Sequence, residues 1–472
     1  MAIEPNIGHN RENTRKIFLL SALAYAISYG LYFAFLNTYF WDDYLNYFDK
    51  TSIEVRKNQG AFSGFSPVRL LAEGWIAENS PEIFRVMIFF AFPIATYALW
   101  KVLGSINYLN EREKIVITVL FLLLPSNSAR VAMTMFMYST CNAAFFVGWW
   151  CYTLKRRWWT IGLSILFFLY SFDTASFLVF MIIPISVSFF ETQNRGISVI
   201  RWFRQNIIFV VLPLLYWFIE PIFNPTLDPV RAAYYSPSIS GTLRAIALGL
   251  ILGLISLYLV AIRKWRAVSH RGGIQIVLGA IMTWIGMFPY LALGHFPNIN
   301  SWMLPFVPGE SDWDSRHQLL LPLGISVLVL GLINVANPNL LIKSLGFLVT
   351  VFTIFNFTFT QEYYLDSIKS VRIVEAIKSD PDFTKLKSVI IDDQALRFNA
   401  RGRGVRSYEW ELLMKQANPQ LSQKADVYRY VDCESLSPDS IVTVTAGSGK
   451  LKTLITRNPE ISLRISPVEI CD

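Results

Sequence analysis

The chain has 472 residues, of which 53% are hydrophobic and only 16% are charged, and its mean hydropathy is +0.39. This balance is too apolar for an ordinary water-soluble protein and indicates a polytopic α-helical membrane protein, with the lipid bilayer as its surroundings. The net charge of +8 does not point to nucleic acid, because the basic residues recur in short clusters between apolar segments, as residues that orient membrane proteins do.

The first apolar segment, residues 17–36, carries no charged side chain over 20 positions. It is long enough to cross a hydrocarbon core of about 30 Å as a helix, and it lacks the small-residue cleavage site of a signal peptide. Ten further apolar runs lie near 83–103, 114–125, 131–154, 158–172, 174–190, 206–219, 242–262, 273–293, 317–334 and 340–360. The sequence therefore predicts about eleven transmembrane helices, of which several are short and the run ending at Pro125 is a candidate re-entrant segment.

The lysine and arginine residues predict the orientation. If residues 1–16 form a cytoplasmic tail, the loops on that side carry 17 basic residues and the opposite loops up to residue 361 carry nine. Cytoplasmic loops are the richer in lysine and arginine, so we expect a cytoplasmic N-terminus. With an odd number of spans in residues 17–361, the segment from residue 362 onward lies outside the cytoplasm.

Residues 362–472 change character, since they contain no apolar run of membrane length. Apolar residues recur at helical spacing at Leu365, Ile368, Val371, Val374 and Ile377. Residues 388–391 and 441–445 have the composition of strands. We expect a small extracytoplasmic α/β domain of about 110 residues, which is large enough to bury a modest core.

The four cysteines fall into two pairs. Cys433 and Cys471 would lie in an oxidising compartment, where a disulfide between them is one of two open alternatives. Cys141 and Cys151 lie within a predicted span, and we expect them to serve packing.

The strongest candidate for chemistry is the acidic pair Asp42-Asp43, which follows the first span at the start of a predicted external loop, residues 37–82. Aromatic neighbours place the pair at the depth of an interfacial belt, where partial desolvation raises the pKa of a carboxyl group. One acid could accept a proton from an attacking hydroxyl, and the other could orient the acceptor or bind a metal ion. The alternative is a solvated helix end.

Arg69 is the second candidate, in a stretch whose residues 66–78 resemble an interfacial helix. Its planar pair of donors suits a phosphate or a carboxylate. The competing interpretation is that Arg69 extends to the lipid headgroups or pairs with Glu73.

Three further candidates lie in later external loops. Arg316 and His317 precede a late span and could neutralise a departing phosphate, although Arg316 could instead pair with Asp312 or Asp314. Asp173 lies where one span turns into the next and is a second candidate acid. Capping of the following helix by Asp173 or Thr174 is the alternative.

Other chemistries have less support in the sequence. It contains no glycine-rich phosphate loop, no His-Glu-x-x-His pattern and no CxxC pair, which argues against a nucleotide-driven pump and a zinc enzyme. The middles of the apolar runs are nearly free of ionisable groups, which argues against a proton-coupled transporter.

The combination of a basic tail, one span, the acidic pair Asp42-Asp43, an interfacial stretch with Arg69 and a Ser-Arg-His element at Arg316 and His317 resembles the GT-C superfamily of membrane glycosyltransferases. Within it, the layout is similar to the bacterial GtrII-type glucosyltransferases that modify O-antigen. The resemblance implies a polyprenyl-phosphate sugar donor, used outside the cytoplasm, and a catalytic carboxylate at Asp42 or Asp43. The acids are adjacent here, unlike the DxD form of several relatives, so a divalent metal ion has no support in the sequence.

We therefore expect a glycosyltransferase of the bacterial inner membrane that moves glucose or another hexose to a cell-surface glycan such as the O-antigen of lipopolysaccharide. The catalytic residues would be Asp42, Asp43 and Asp173, and the donor phosphate would bind Arg69, Arg316 and His317. Three alternatives stay open: a transporter or flippase of lipid-linked glycans, an O-antigen polymerase or ligase, and a non-enzymatic envelope assembly protein.

Overall fold

The computed structural model describes residues 7–29, 38–43, 75–77, 79–154, 157–193, 199–223, 238–264, 270–295, 312–385, 388–417, 426–428 and 440–467. Arg69, most of the predicted interfacial helix, Cys433 and Cys471 lie outside the described residues. The predictions made for them are therefore not tested by the structure.

Helices dominate the first 385 residues. They are α1 (Ile7–Ser28), α2 (Ile83–Gly104), α3 (Glu111–Leu123), α4 (Phe136–Leu154), α5 (Trp158–Ser171), α6 (Ser176–Phe180), α7 (Ile182–Gln193), α8 (Val199–Asn206), α9 (Ile208–Phe223), α10 (Ile239–Lys264), α11 (His270–Ala292), α12 (Leu321–Ala336) and α13 (Leu341–Ser379). Short 3₁₀ helices span Ser128–Val131, Met133–Met135, Asp312–Gln318, Pro338–Leu340 and Pro381–Lys385. Each of the ten apolar runs predicted after the first overlaps one or more of these helices.

Local sequence explains several helix ends. At the start of α3, the side chain of Asn110 accepts from the backbone N–H of Glu113, whose carboxylate accepts from the N–H of Asn110. The same helix ends just before Leu124-Pro125, because a proline disfavours helical geometry in the residue before it. α12 begins with Pro322 in its first turn, where a missing N–H has no cost.

Four described helical stretches are long and apolar enough to cross a membrane: Ile83–Gly104, Ile239–Ser256, Arg271–Ala292 and Pro338–Ser379. A fifth span would result if α8 and α9, which are bent by 49° at their junction, act as one. The remaining apolar helices are shorter, so the predicted number of eleven spans is not confirmed. The coarser prediction of a helical protein with membrane-length apolar helices agrees with the structure.

The outward faces of these helices are apolar. On α10, the side chains of Leu243, Leu250, Leu254 and Tyr258 are all more than 60% exposed. Soluble proteins rarely leave such a continuous apolar surface uncovered, whereas a bilayer covers it. The exposed apolar face of α10 is therefore consistent with a membrane environment.

Contacts sort the described loops into two groups at opposite ends of the helices. In the first group, Asp43 binds the backbone of Met133 and Thr134, and Ser315 binds that of Ala129. We call this the site end. In the second group, which we call the opposite end, Arg271 binds Glu113 and Tyr152 binds Gln205. Alternate loops thus meet at one end, as a series of antiparallel spans predicts.

α13 links the helical bundle to the C-terminal domain. Its 39 residues span about 58 Å, which is nearly twice the thickness of a hydrocarbon core. The boundary predicted at residue 361 therefore falls inside a continuous helix. Of the residues predicted at helical spacing, Leu365, Ile368, Val374 and Ile377 are buried, and Val371 is exposed.

The C-terminal domain is built on a four-stranded sheet with strand order β2-β1-β3-β4. Its strands are β1 (Ser388–Asp393), β2 (Asp426–Tyr428), β3 (Ser440–Ala446) and β4 (Ile461–Pro467), and its helices are α14 (Ser407–Ala417) and α15 (Lys450–Thr456). Short 3₁₀ helices span Leu396–Phe398 and Ala400–Gly402. β1 pairs in parallel with β2 and β3, whereas β4 is antiparallel to β3. Both predicted strands and the α/β character of this domain are confirmed.

A lysine from α13 fills the edge of this sheet where ligands of parallel α/β folds commonly bind. Such ligands bind beyond the carboxyl ends of two adjacent parallel strands whose following connections run to opposite sides of the sheet. In this sheet the two strands are β1 and β3. Lys369 Nζ lies 2.7 Å and 2.5 Å from the two carboxylate oxygens of Asp393 and 2.6 Å from Asn399 Oδ1. The crevice thus serves to fasten the domain to α13.

Candidate functional site

Asp43 is the anchor of the site end. Its side chain is fully buried. Oδ2 accepts from the backbone N–H of Phe40 at 3.2 Å and of Met133 at 2.9 Å. Oδ1 accepts from the backbone N–H of Thr134 at 2.8 Å and from its hydroxyl at 3.2 Å. The guanidinium of Arg85 lies 3.8 Å from Oδ2 and supplies the compensating charge.

These contacts decide what Asp43 can do. An ionised carboxylate offers about four lone-pair positions, and four hydrogen bonds occupy them. Burial raises the pKa of Asp43 to about 6, against the opposing effects of the Arg85 charge and the backbone N–H groups. At neutral pH the group is mainly ionised but has no lone pair to receive a substrate proton. Asp43 is therefore suited to hold the loop and unsuited to act as a base.

Asp42 differs from its neighbour. Its side chain is partly exposed. The hydroxyl of Tyr408, from α14, donates to Asp42 Oδ1 at 3.1 Å. This contact leaves lone pairs on the carboxylate available to a ligand. Of the predicted pair, Asp42 has the geometry of an accessible base.

Residues 126–135, between α3 and α4, connect the parts of the site end, and we call them the connecting segment. Besides the two N–H groups that bind Asp43, this segment accepts a hydrogen bond from Arg85 Nε through the carbonyl of Val131 at 3.2 Å. Its Arg130 donates to Asn356 Oδ1 on α13 at 3.2 Å. The segment carries polar side chains, whereas the helices on either side of it are apolar. Its irregular backbone lacks the regular hydrogen bonds of a helix, so its N–H and C=O groups need other partners.

The connecting segment also holds the predicted phosphate-binding element. The hydroxyl of Ser315 accepts from the backbone N–H of Ala129 at 2.8 Å and lies 3.1 Å from the hydroxyl of Ser128. Ser315 is buried, and Arg316 and His317 follow it directly in the 3₁₀ helix Asp312–Gln318. The first loop and the Ser-Arg-His element thus both form hydrogen bonds with the connecting segment.

His317 is held neutral. Arg316 Nε donates to His317 Nε2 at 3.1 Å, so Nε2 is the acceptor nitrogen and the ring proton lies on Nδ1. Burial, the charge of Arg316 and the neighbouring His295 lower the pKa of His317 to about 3. Nδ1 is buried and has no hydrogen-bond partner among the described residues. His317 therefore carries a neutral, buried N–H donor, and Arg316 beside it carries a positive charge.

Asp173 joins the same end through aromatic contacts. The hydroxyl of Tyr216 lies 3.4 Å from Asp173 Oδ1. Nearby, the hydroxyl of Ser176 lies 3.5 Å from that of Tyr290, whose ring packs against His317 at 4.7 Å between centroids. The predicted alternative of helix capping is not observed, because Ala175 is the residue at the start of α6 and that helix end has no capping side chain.

Sequence reasoning missed the residues that organise this end. Arg85 and Arg130 entered it only as charges in a topology count, although both are buried here. The signal available in the sequence was the polar interruption Ser126-Asn127-Ser128 between two apolar runs. No comparable signal pointed to Tyr408, which lies 366 positions from Asp42.

Metal binding gains no support from this geometry. No group of three or more histidine, cysteine, aspartate or glutamate side chains that could hold a metal ion occurs in the described part of the chain. The oxygens of Asp43 are engaged by hydrogen-bond donors, which leaves Asp42 as the accessible acid of the pair.

The chain matches no family model, no curated protein and no solved structure. What the site can do therefore follows from its own chemistry. It combines the partly exposed carboxylate of Asp42 with the charge of Arg316 and the neutral imidazole of His317, all linked through the connecting segment. That set can remove a proton from a hydroxyl and can stabilise an anionic leaving group.

Proposed function

We propose that the protein is an integral-membrane glycosyltransferase that moves a hexose from a polyprenyl-phosphate donor to a cell-surface glycan such as O-antigen. The observation that carries the proposal is the division between the two adjacent acids: Asp43 is buried and saturated with hydrogen bonds, whereas Asp42 is partly exposed. A buried acid that fixes the loop allows the neighbouring acid to be held in one place while it stays accessible. This is the pre-organisation that general base catalysis requires.

In the proposed reaction, Asp42 removes the proton from an acceptor hydroxyl as the hydroxyl oxygen forms a bond to the anomeric carbon of the donor sugar. The bond between that carbon and the phosphate oxygen breaks, and its electron pair stays on the phosphate. The products are the glycosylated acceptor, a protonated Asp42 and a polyprenyl phosphate. We take the transfer to proceed with inversion, which requires a base and no covalent intermediate.

The departing phosphate needs donors that face its developing charge. Arg316 would supply the charge, and His317 Nδ1 would supply a neutral hydrogen bond, because its depressed pKa rules out an imidazolium at neutral pH. The resemblance adds Arg69 as a further phosphate ligand, and the place of Asp173 between two spans makes it a candidate second acid. The location that fits a lipid-linked donor is a bacterial inner membrane, with the site end outside the cytoplasm.

Replacing Asp42 tests the proposal. Asp42→Asn keeps the shape and the contact with Tyr408 but removes the base, so we expect transfer to fall by at least about 100-fold while the protein accumulates normally. The measurement is incorporation of labelled sugar into glycan by membranes supplied with lipid-linked donor, together with mass analysis of the surface glycan.

The matched control is Asp392→Asn, which makes the same change at an exposed acid of the C-terminal domain and should leave transfer intact. If membranes carrying Asp42→Asn transfer sugar as well as the native protein does, Asp42 is not the base and the glycosyltransferase mechanism is wrong.

A further inference from the structure

The C-terminal domain contacts the loop that carries Asp42 at two points. The carboxylate of Glu409 accepts from the backbone N–H of Trp41 at 3.1 Å. The hydroxyl of the preceding residue, Tyr408, donates to the side chain of Asp42 at 3.1 Å. Consecutive residues at the start of α14 thus bind consecutive residues of the first loop.

The loop needs this support because its backbone is strained. Trp41 has a φ of +47°, in the left-handed region that bulky residues rarely adopt. Such a conformation persists only where the surroundings enforce it. The Trp41 ring is fixed by Tyr363 at 5.4 Å between centroids and by the guanidinium of Arg403, 5.4 Å from its centre.

Both carboxylate oxygens of Glu409 are occupied by hydrogen-bond donors. Arg403 Nη1 donates to its two oxygens at 2.8 Å and 2.9 Å, and the backbone N–H of Arg406 donates at 2.8 Å. The other edge of the Arg403 guanidinium binds Asp366 on α13 at 2.9 Å. Glu409, Arg403 and Asp366 are all buried, and buried charges with a full set of partners hold a fixed geometry.

Fastening the domain to α13 does not explain the contact between Tyr408 and Asp42. Lys369 and the Arg403–Asp366 pair already join the domain to the helix. Burial and the charges of Asp42 and Glu409 raise the pKa of Tyr408, so its hydroxyl stays protonated as a donor. A protonated donor directed at the accessible acid of the site restricts where that acid can point.

We propose that Tyr408 and Glu409 are positioning residues for Asp42, so that the C-terminal domain helps to fix the geometry of the catalytic site. Glu409 holds the left-handed turn at Trp41, and Tyr408 holds the orientation of the Asp42 carboxylate. This inference rests on the proposed role of Asp42 as the base. Neither residue need touch the substrate, since both act through the first loop.

The kinetic test uses Tyr408→Phe in the full-length protein, which removes one hydroxyl and leaves the aromatic ring. We expect kcat for sugar transfer to fall about 10-fold, the factor that a hydrogen bond to a charged group is worth. KM for the lipid-linked donor should not change, because Tyr408 orients the base and does not bind the donor. Glu411→Gln, an exposed position on the same helix, is the matched control.

The structural test uses hydrogen exchange and needs no substrate. In Glu409→Gln, an amide NH₂ replaces one of two oxygens that each face donors, so backbone N–H groups of residues 38–43 should exchange about 10-fold faster than in the native protein and in Glu411→Gln. Thermal unfolding of each variant shows whether the protein as a whole remains folded.

The two measurements separate this inference from the proposed function. Support requires both the lower kcat with unchanged KM and the faster exchange. If Asp42→Asn abolishes transfer but Tyr408→Phe matches the native kcat, the positioning role is wrong and the base assignment survives. If Asp42→Asn transfers sugar normally, the base assignment and the positioning role both fail. Unchanged exchange in Glu409→Gln overturns the positioning role by itself.

Discussion

A buried carboxylate lies at each end of the helical bundle, Asp43 at the site end and Glu113 at the opposite end, and their hydrogen-bond donors differ. At the opposite end, Glu113 accepts from Gln275 at 3.0 Å, from Asn334 at 2.9 Å and from the N–H of Asn110 at 2.9 Å, and it pairs with Arg271. Most of these donors are side chains on regular helices. At the site end, most donors to Asp43 are backbone N–H groups of irregular segments.

This difference indicates that Glu113 has a structural role, whereas Asp43 belongs to a site that presents a side chain to a ligand. Glu113 binds side chains of α11 and α12 and so links α3 to two elements that are already regular helices. Asp43 ties two stretches of irregular backbone together and thereby fixes the accessible acid next to it. Irregular backbone is costly to order, so such an arrangement is found mainly where side chains must be presented to a ligand.

The largest stability effect should follow from replacing the Asp43 carboxylate by an amide. In Asp43→Asn, the new NH₂ group would be buried against the N–H groups of Thr134 or Met133, so donors would face donors. We expect a loss of about 2 to 4 kcal/mol, the cost of leaving one or two buried donors unpaired, seen as a lower unfolding temperature in detergent and poor accumulation in membranes. Transfer should fall with the amount of folded protein.

Asp42→Asn is the matched control for this change, because it makes the same substitution one residue away. It should leave the unfolding temperature nearly unchanged while it abolishes transfer. The opposite pattern, with a stable Asp43→Asn protein and an unstable Asp42→Asn protein, would reverse the roles given to the two acids.

Acidification should change the stability that Asp43 contributes. The pKa of Asp43 is raised from 3.8 to about 6 in the folded protein, so between these values the native state binds more protons than the unfolded state. Stability from this group is therefore fully present below pH 3.8 and is lost as pH rises through 6, by up to about 3 kcal/mol. Unfolding temperatures measured between pH 4 and pH 8 test this expectation.

Asp43→Asn removes this titration. The contributions of all other titratable groups to the free energy of unfolding are the same in both proteins and cancel when the two are compared. The gap in stability between the native protein and the variant should therefore widen toward pH 4. A gap that stays constant or narrows would show that Asp43 does not change its pKa on folding as described.

The sequence predicted the helices well because an apolar run has few alternatives in a membrane. It also grouped Asp42, Asp43, Asp173, Arg316 and His317 at one end, since alternate loops share a side. It could not tell which of two adjacent acids is buried, because that depends on N–H groups of Met133 and Thr134 about 90 positions away. Periodicity and composition carry no signal for such partners.

The sequence also carried no signal for two further features of the structure. Burial, the neighbouring Arg316 and His295 keep His317 neutral. A continuous helix, α13, runs through residue 362 and joins the C-terminal domain to the bundle.

The smallest effect is expected at the opposite end. Glu113→Gln puts an NH₂ group opposite the donors of one carboxylate oxygen and loses the pairing with Arg271, whose side chain is 37% exposed and therefore partly screened by solvent. We expect a loss of about 1 to 2 kcal/mol in unfolding and an unchanged rate of transfer per folded molecule. Glu111→Gln, at a side chain that is 61% exposed, should cost less still and serves as its control. If Glu113→Gln instead lowers transfer without lowering stability, the buried acid at the opposite end takes part in function. The purely structural role given to Glu113 would then be wrong.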